Sequence, residues 1–131
     1  MKLRVSECFG PVSQGEGYYV GVPSIFVRFF GCNFRCPGFN VPNYNYQGNK
    51  EIQELLERIP EFNKDINQLP IVKTGCDSYY AVYPEFKGFA KDYTPEELVR
   101  EIKSKKYPRS LKAPHVVFTG GEPLLWQKAI V

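Results

Sequence analysis

Two runs of β-branched and aromatic residues, VPSIFVRFF at 22–30 and HVVFT at 115–119, each lead straight into glycine: Gly31 after the first, Gly120-Gly121 after the second. Uninterrupted apolar runs of this length, ended by glycine, read as buried strands. Between them lies a helix start. Thr94 suits the N-cap, Pro95 the first helical position, and Glu97 closes a capping box, so a helix is predicted to run to about Lys105 and to bury Leu98 and Ile102. The order strand, loop, helix, strand is that of a βα repeat, and it predicts an α/β fold with a parallel sheet. In such folds ligands bind beyond the carboxyl ends of the strands. The two glycine-marked loops are therefore the places to look for chemistry.

The rest of the chain fits around this frame. Residues 2–7 (KLRVSE) form a short strand in this reading, and Gly10, Pro11, Gly15 and Gly17 break the chain into a loop around Gln14 and Glu16. Residues 37–49 are dominated by Pro, Asn, Tyr and Gly. Ile52, Leu55, Leu56 and Ile59 then recur at helical spacing, which predicts an amphipathic helix over 51–59, ended by Pro60. A further strand is expected near Leu69–Lys73, residues 79–93 read as aromatic and irregular, and a last helix begins near Pro123. The 131 residues suffice for one domain, and 43% apolar with 24% charged residues is an ordinary globular balance. No apolar run is long enough to cross a bilayer, and Lys2 and Arg4 are not followed by the apolar stretch of a signal peptide, so a cytoplasmic protein is expected. The net charge of +3 gathers partly at Arg100, Lys103, Lys105, Lys106 and Arg109, which reads as a solvated helix end suited to the helix dipole rather than a nucleic-acid surface.

There are four cysteines: Cys8, Cys32, Cys36 and Cys76. Without a secretion signal, and with Cys32 and Cys36 spaced C-x-x-x-C after a strand, metal or cluster ligation outweighs disulfide formation. Thiolates are soft ligands that bind zinc and iron–sulfur clusters. The competing readings are reduced cysteines packed as small apolar residues, and a structural zinc site.

Further motifs sharpen this. SECFGPVSQGEGYYVGVPSIFVRFFGCNFRC at 6–36 carries a QGEG turn, a G-x-P-x-x-F-V-R strand and a GCN-x-R-C loop, and TGGEPLL follows at 119–125. Together, in this order, these segments resemble the 7-carboxy-7-deazaguanine synthases, a family of radical S-adenosylmethionine enzymes. That family carries C-x-x-x-C-x-x-C, whereas the third position here is Phe39. The segment Cys76-Asp77-Ser78-Tyr79-Tyr80-Ala81 resembles the family's continuation after its third cysteine. The resemblance thus implies that about 37–75 is an insertion within a single, incomplete radical S-adenosylmethionine domain, the N-terminal fragment of a (β/α) barrel with parallel strands, and that Cys76 is the displaced third ligand. Loop closure costs grow only logarithmically with length, and the inserted helix would help bring the ends together.

The resemblance further implies a [4Fe–4S] cluster on Cys32, Cys36 and Cys76, with one iron left open for S-adenosylmethionine. Gly120, Gly121, Glu122 and Pro123 are its implied binding segment. Gln14, Glu16 and Arg28 are the implied substrate contacts, Arg28 through the planar fork that suits a carboxylate. Ser78 stands at the place of a threonine associated with Mg²⁺. The implied reaction converts 6-carboxy-5,6,7,8-tetrahydropterin to 7-carboxy-7-deazaguanine with loss of ammonia, a lyase step toward queuosine-type deazapurines. The implied partners are this small pterin, an electron donor such as flavodoxin or ferredoxin, and a second copy in a homodimer, with no direct nucleic-acid or membrane contact. The alternatives are an activating enzyme that installs a glycyl radical, and the non-catalytic metal-binding module. Cys8 and His115 are read as structural, and Trp126 and the Tyr79–Tyr80 pair as core or rim aromatics.

Overall fold

A computed structural model describes residues 1–34, 36, 49–105 and 115–131. Its elements are β1 (Leu3–Ser13), β2 (Pro23–Phe29), α1 (Lys50–Glu57), α2 (Tyr79–Val82), β3 (Lys91–Tyr93), α3 (Pro95–Ser104), β4 (His115–Gly120) and α4 (Gln127–Ile130), with short 3₁₀ turns at Ile59–Phe62, Ile66–Gln68, Pro84–Phe89 and Pro123–Trp126.

The four strands form one sheet in the order β3-β1-β2-β4. β2 and β4 pair in parallel, from Ser24 opposite His115 to Phe29 opposite Gly120. The α/β class and this parallel pair are as expected. The sheet as a whole is mixed, however: β1 runs antiparallel to both β2 and β3. The cause is connection length. The turn from Ser13 to Pro23 holds no helix, and a short turn returns the chain only as a hairpin.

β1 also runs further than the sequence suggests, through Gly10 and Pro11 to Ser13. Gly10 has φ +129°, and a Cβ there would lie 2.6 Å from the Ser24 carbonyl oxygen. The glycine therefore lets β1 lie close against β2 instead of ending the strand. The strand expected near Leu69–Lys73 is absent, while the irregular stretch from 79 contains α2 and β3. At α3 the capping box forms as read: the Glu97 amide donates to Thr94 Oγ1 at 3.2 Å and the Thr94 amide to Glu97 Oε2 at 2.8 Å.

β4 is less buried than its composition predicts, with Val116 37% and Phe118 42% exposed. Among the described residues it lies at the sheet edge with β2 as its one strand neighbour. His115 packs edge-on against Tyr19, ring centres 4.9 Å apart.

Two apolar clusters hold the fold together. One joins Leu3, Val5, Val27, Phe29 and Leu98, with Ile102 and Trp126 against it. The other joins Ile52, Leu55, Phe62 and Val72 from the expected insertion to Phe30, Tyr79, Val82, Tyr83 and Phe86 outside it. Cys32 and Cys76 pack against this second cluster.

Candidate functional site

β2 delivers Gly31 and Cys32 at its carboxyl end, and β4 delivers Gly120 and Gly121 beside them. The two loops are tied by backbone bonds. The Gly121 amide donates to the Phe29 carbonyl at 3.1 Å, the Glu122 amide to the Gly31 carbonyl at 2.8 Å, and the Gly31 amide to the Ala81 carbonyl at 2.7 Å. Contact is so close that a Cβ on Gly120 would collide with the Phe29 backbone, and one on Gly121 with the Gly31 carbonyl. Both positions require glycine for lack of room.

A cavity of about 270 Å³ opens beside this junction, lined by Cys32, Cys36, Cys76, Asp77, Ser78, Gly120 and Gly121, with Phe34 and Val82 as apolar wall. The three cysteines singled out from the sequence thus share one cavity, although Cys76 lies far downstream. Cys36 is exposed, and Cys32 and Cys76 are half-buried. The Phe34 amide donates to Cys32 Sγ at 3.4 Å. Burial pushes the Cys76 thiol up, the Ser78 amide bonded to it pulls it down, and Asp77, Cys32 and Cys36 push it up further. Among the described residues no three His, Cys, Asp or Glu side chains are grouped to hold a single metal ion.

The remaining predicted residues divide. Arg28 neither reaches solvent at a sheet edge nor points freely into the cavity. Its Nε donates to Glu7 Oε2 at 2.8 Å and its Nη1 to Ser78 Oγ at 2.8 Å. The pair is largely enclosed, 18% exposed at Arg28 and 23% at Glu7. Tyr80 completes the group: its hydroxyl donates to the same Glu7 oxygen at 2.9 Å, and its ring lies 5.7 Å from the guanidinium. Burial, opposed by Arg28 and reinforced by Glu7, holds the Tyr80 phenol well above its ordinary value. Ser78 also donates toward Asp77 Oδ1 at 3.3 Å.

Glu122 caps the following 3₁₀ turn, accepting from the Leu124 amide at 2.8 Å, and neither it nor Pro123 lines the cavity. Gln14 closes its own turn, its Oε1 accepting from the Gly15 amide at 2.9 Å, and Glu16 is exposed. Their loop precedes β2, so it sits at the opposite strand end from the cysteine loop. Sequence reasoning passed over Glu7 and left Tyr80 as a packing residue. The signal for Glu7 was cross-strand pairing with Arg28, but β1 is bulged between Val5 and Glu7, so its register could not be counted from a turn; Tyr80 lies on α2 and reaches the pair only through tertiary contact.

Comparison with known proteins agrees with these motifs. Over 126 residues, 96% of the chain, it is 34% identical to the 7-carboxy-7-deazaguanine synthase of Buchnera aphidicola, covering 45% of that protein. It is 36% identical to the synthase of Hyperthermus butylicus over 94% of the chain and 32% of the relative. Against that of Halobacterium salinarum it is 30% identical over 98% of the chain and 32% of the relative. This chain is a relative of the 7-carboxy-7-deazaguanine synthases. It spans less than half the length of these curated relatives. No family model matches it. A crystal structure of QueE from Escherichia coli aligns with a TM-score of 0.49 at 23% identity, over 95% of this chain and 43% of that one. No helix among the described residues is long and apolar enough to cross a membrane.

Proposed function

We propose that the cavity between the Gly31 and Gly120 loops binds a [4Fe–4S] cluster through Cys32, Cys36 and Cys76 and serves the radical chemistry of a 7-carboxy-7-deazaguanine synthase. One observation carries the reading: two thiols of one loop and a third from far downstream line the same cavity as the Gly120-Gly121 turn. Thiols are the donors such a cluster takes, and three of them leave one iron open for S-adenosylmethionine. When bound, these groups supply an adenosyl radical that takes a hydrogen atom from the substrate.

The chain's own residues prepare that site. The Phe34 amide donates to Cys32 Sγ and the Ser78 amide to Cys76 Sγ, so backbone bonds hold two of the three sulfurs in place. Gly120 and Gly121 allow the backbone to approach a ligand closely, and their segment, with Glu122 and Pro123, is the proposed S-adenosylmethionine contact. Asp77 and Ser78 offer hard oxygens suited to Mg²⁺, and Ser78 Oγ keeps a lone pair after accepting from Arg28. Arg28, with Gln14 and Glu16, is the proposed contact for 6-carboxy-5,6,7,8-tetrahydropterin, whose rearrangement to 7-carboxy-7-deazaguanine releases ammonia in a carbon–nitrogen lyase step. Gln14 and Glu16 join only if their loop folds over the sheet. A flavodoxin or ferredoxin as electron donor, a homodimer and a cytoplasmic location complete the proposal.

Anaerobic reconstitution with iron and sulfide tests it. A brown protein whose reduced electron paramagnetic resonance spectrum changes when S-adenosylmethionine is added is the expected result. A colourless zinc protein, or a cluster retained at full stoichiometry in Cys76→Ala, contradicts the reading.

A further inference from the structure

A ligand contributed from far downstream must be brought home and held, because the closed loop has entropy to lose. The chain around Cys76 is fastened on both sides. Downstream, Ser78 is bonded to Arg28, itself fixed by Glu7 and Tyr80. Upstream, the first turn of α1 grips the two residues before Gly75. Glu51 Oε1 accepts from the Lys73 amide at 2.8 Å, while Oε2 accepts from the Thr74 amide at 3.0 Å and the Thr74 hydroxyl at 2.8 Å. Asn49 Nδ2 donates to the same hydroxyl at 3.2 Å, and its Oδ1 caps α1 by accepting from the Ile52 amide at 3.0 Å. Gly75 has φ +84°, a conformation that favours glycine, and a Cβ there would stand 2.8 Å from Asn49 Nδ2 and displace the amide that holds Thr74. α1 cannot slide away from this grip, since Ile52 and Leu55 are buried in the cluster that also contains Tyr79 and Val72.

From this geometry we infer that Glu51 is a positioning residue for Cys76, and that the segment carrying α1 is part of the cluster-binding scaffold rather than a surface decoration. Glu51 touches no proposed ligand. It sets where Cys76 stands by fixing Lys73 and Thr74, much as partners behind metal ligands orient them. The inference rests on the cluster reading above, and the experiment keeps the two apart.

The lifetime of the reconstituted cluster against an iron chelator is followed by visible absorption in the full 131-residue chain, with circular dichroism and melting of the cluster-free protein recorded in parallel. Glu51→Ala is expected to shorten that lifetime about ten-fold. Glu51→Gln, which keeps one acceptor oxygen, should fall between it and the wild type. Glu54→Ala, on an exposed position of the same helix and with the same charge change, should match the wild type. If Glu51→Ala does not fold, Glu51→Gln and Thr74→Val supply the comparison. A folded Glu51 variant with a wild-type lifetime, or an equal loss in Glu54→Ala, overturns the inference. If the wild type itself takes up no iron and sulfide, the cluster reading fails first, and the positioning role falls with it.

Discussion

At the scale of single residues, the three cavity thiols are unequal. Burial pushes Cys76 up, and the nearby Asp77, Cys32 and Cys36 add to the shift, while Cys36 is exposed. The thiolate is the nucleophile, so a raised thiol reacts only at higher pH. In the cluster-free protein, iodoacetamide should therefore modify Cys36 first and Cys76 last, and the pH midpoint of Cys76 modification should lie above the ordinary thiol value. The linkage has a definite sign. The folded state holds the Cys76 proton more tightly than the unfolded chain, so its contribution to stability is present below the ordinary thiol pKa and is lost as pH climbs past it. Peptide mapping by mass spectrometry checks the order, and faster modification of Cys76 than of Cys36 contradicts it. Cys76 stands out in the sequence as a candidate ligand only because Asp77-Ser78-Tyr79-Tyr80-Ala81 follows it. Glu7 does not stand out, because nothing in its local sequence reports a partner on a neighbouring strand.

Among the elements, those with local rules were readable and those made by tertiary contact were not. α3 carries its own start signal at Thr94 to Glu97, and the apolar spacing of α1 survives as buried Ile52 and Leu55. β3 has three residues and exists because Leu3, Arg4 and Val5 of β1 pair with it, the Arg4 side chain gripping Asp92 with bonds of 2.7 and 3.0 Å. β1 looked interrupted at Gly10 because glycine is a breaker in isolation and a means of close packing in a sheet. The same distinction predicts what truncation does. Leu55 is 4% exposed within the cluster that supports Cys32 and Cys76, so Leu55→Ala should cost about 2–5 kcal/mol of unfolding free energy. Val99, on α3 and 47% exposed, should change it by about 0.5 kcal/mol or less when replaced by alanine. Urea titrations of the two variants measure the difference, and equal losses would mean that α1 is not packed as described.

At the scale of the molecule, the decisive feature is an apolar face that the described residues leave exposed. Parallel strands normally have both faces covered, yet among the described residues β4 ends the sheet with Val116 37%, Phe118 42%, Leu124 69% and Leu125 50% exposed around it. The chain spans less than half the length of its curated relatives. An apolar strand at a sheet edge is a template for a further strand. On its own, the 131-residue chain is expected to satisfy that edge with another copy of itself, giving association that rises with concentration. Val116→Lys places a charge on the edge strand without touching the cavity lining, and a lysine there opposes edge-to-edge pairing. Sedimentation velocity should show the wild type shifting to heavier species as concentration is raised, and the variant remaining near the 15.1 kDa monomer. A wild type that stays monomeric throughout, or a variant that associates equally, would mean that β4 is covered from within the chain and that the exposed strand is not the adhesive surface.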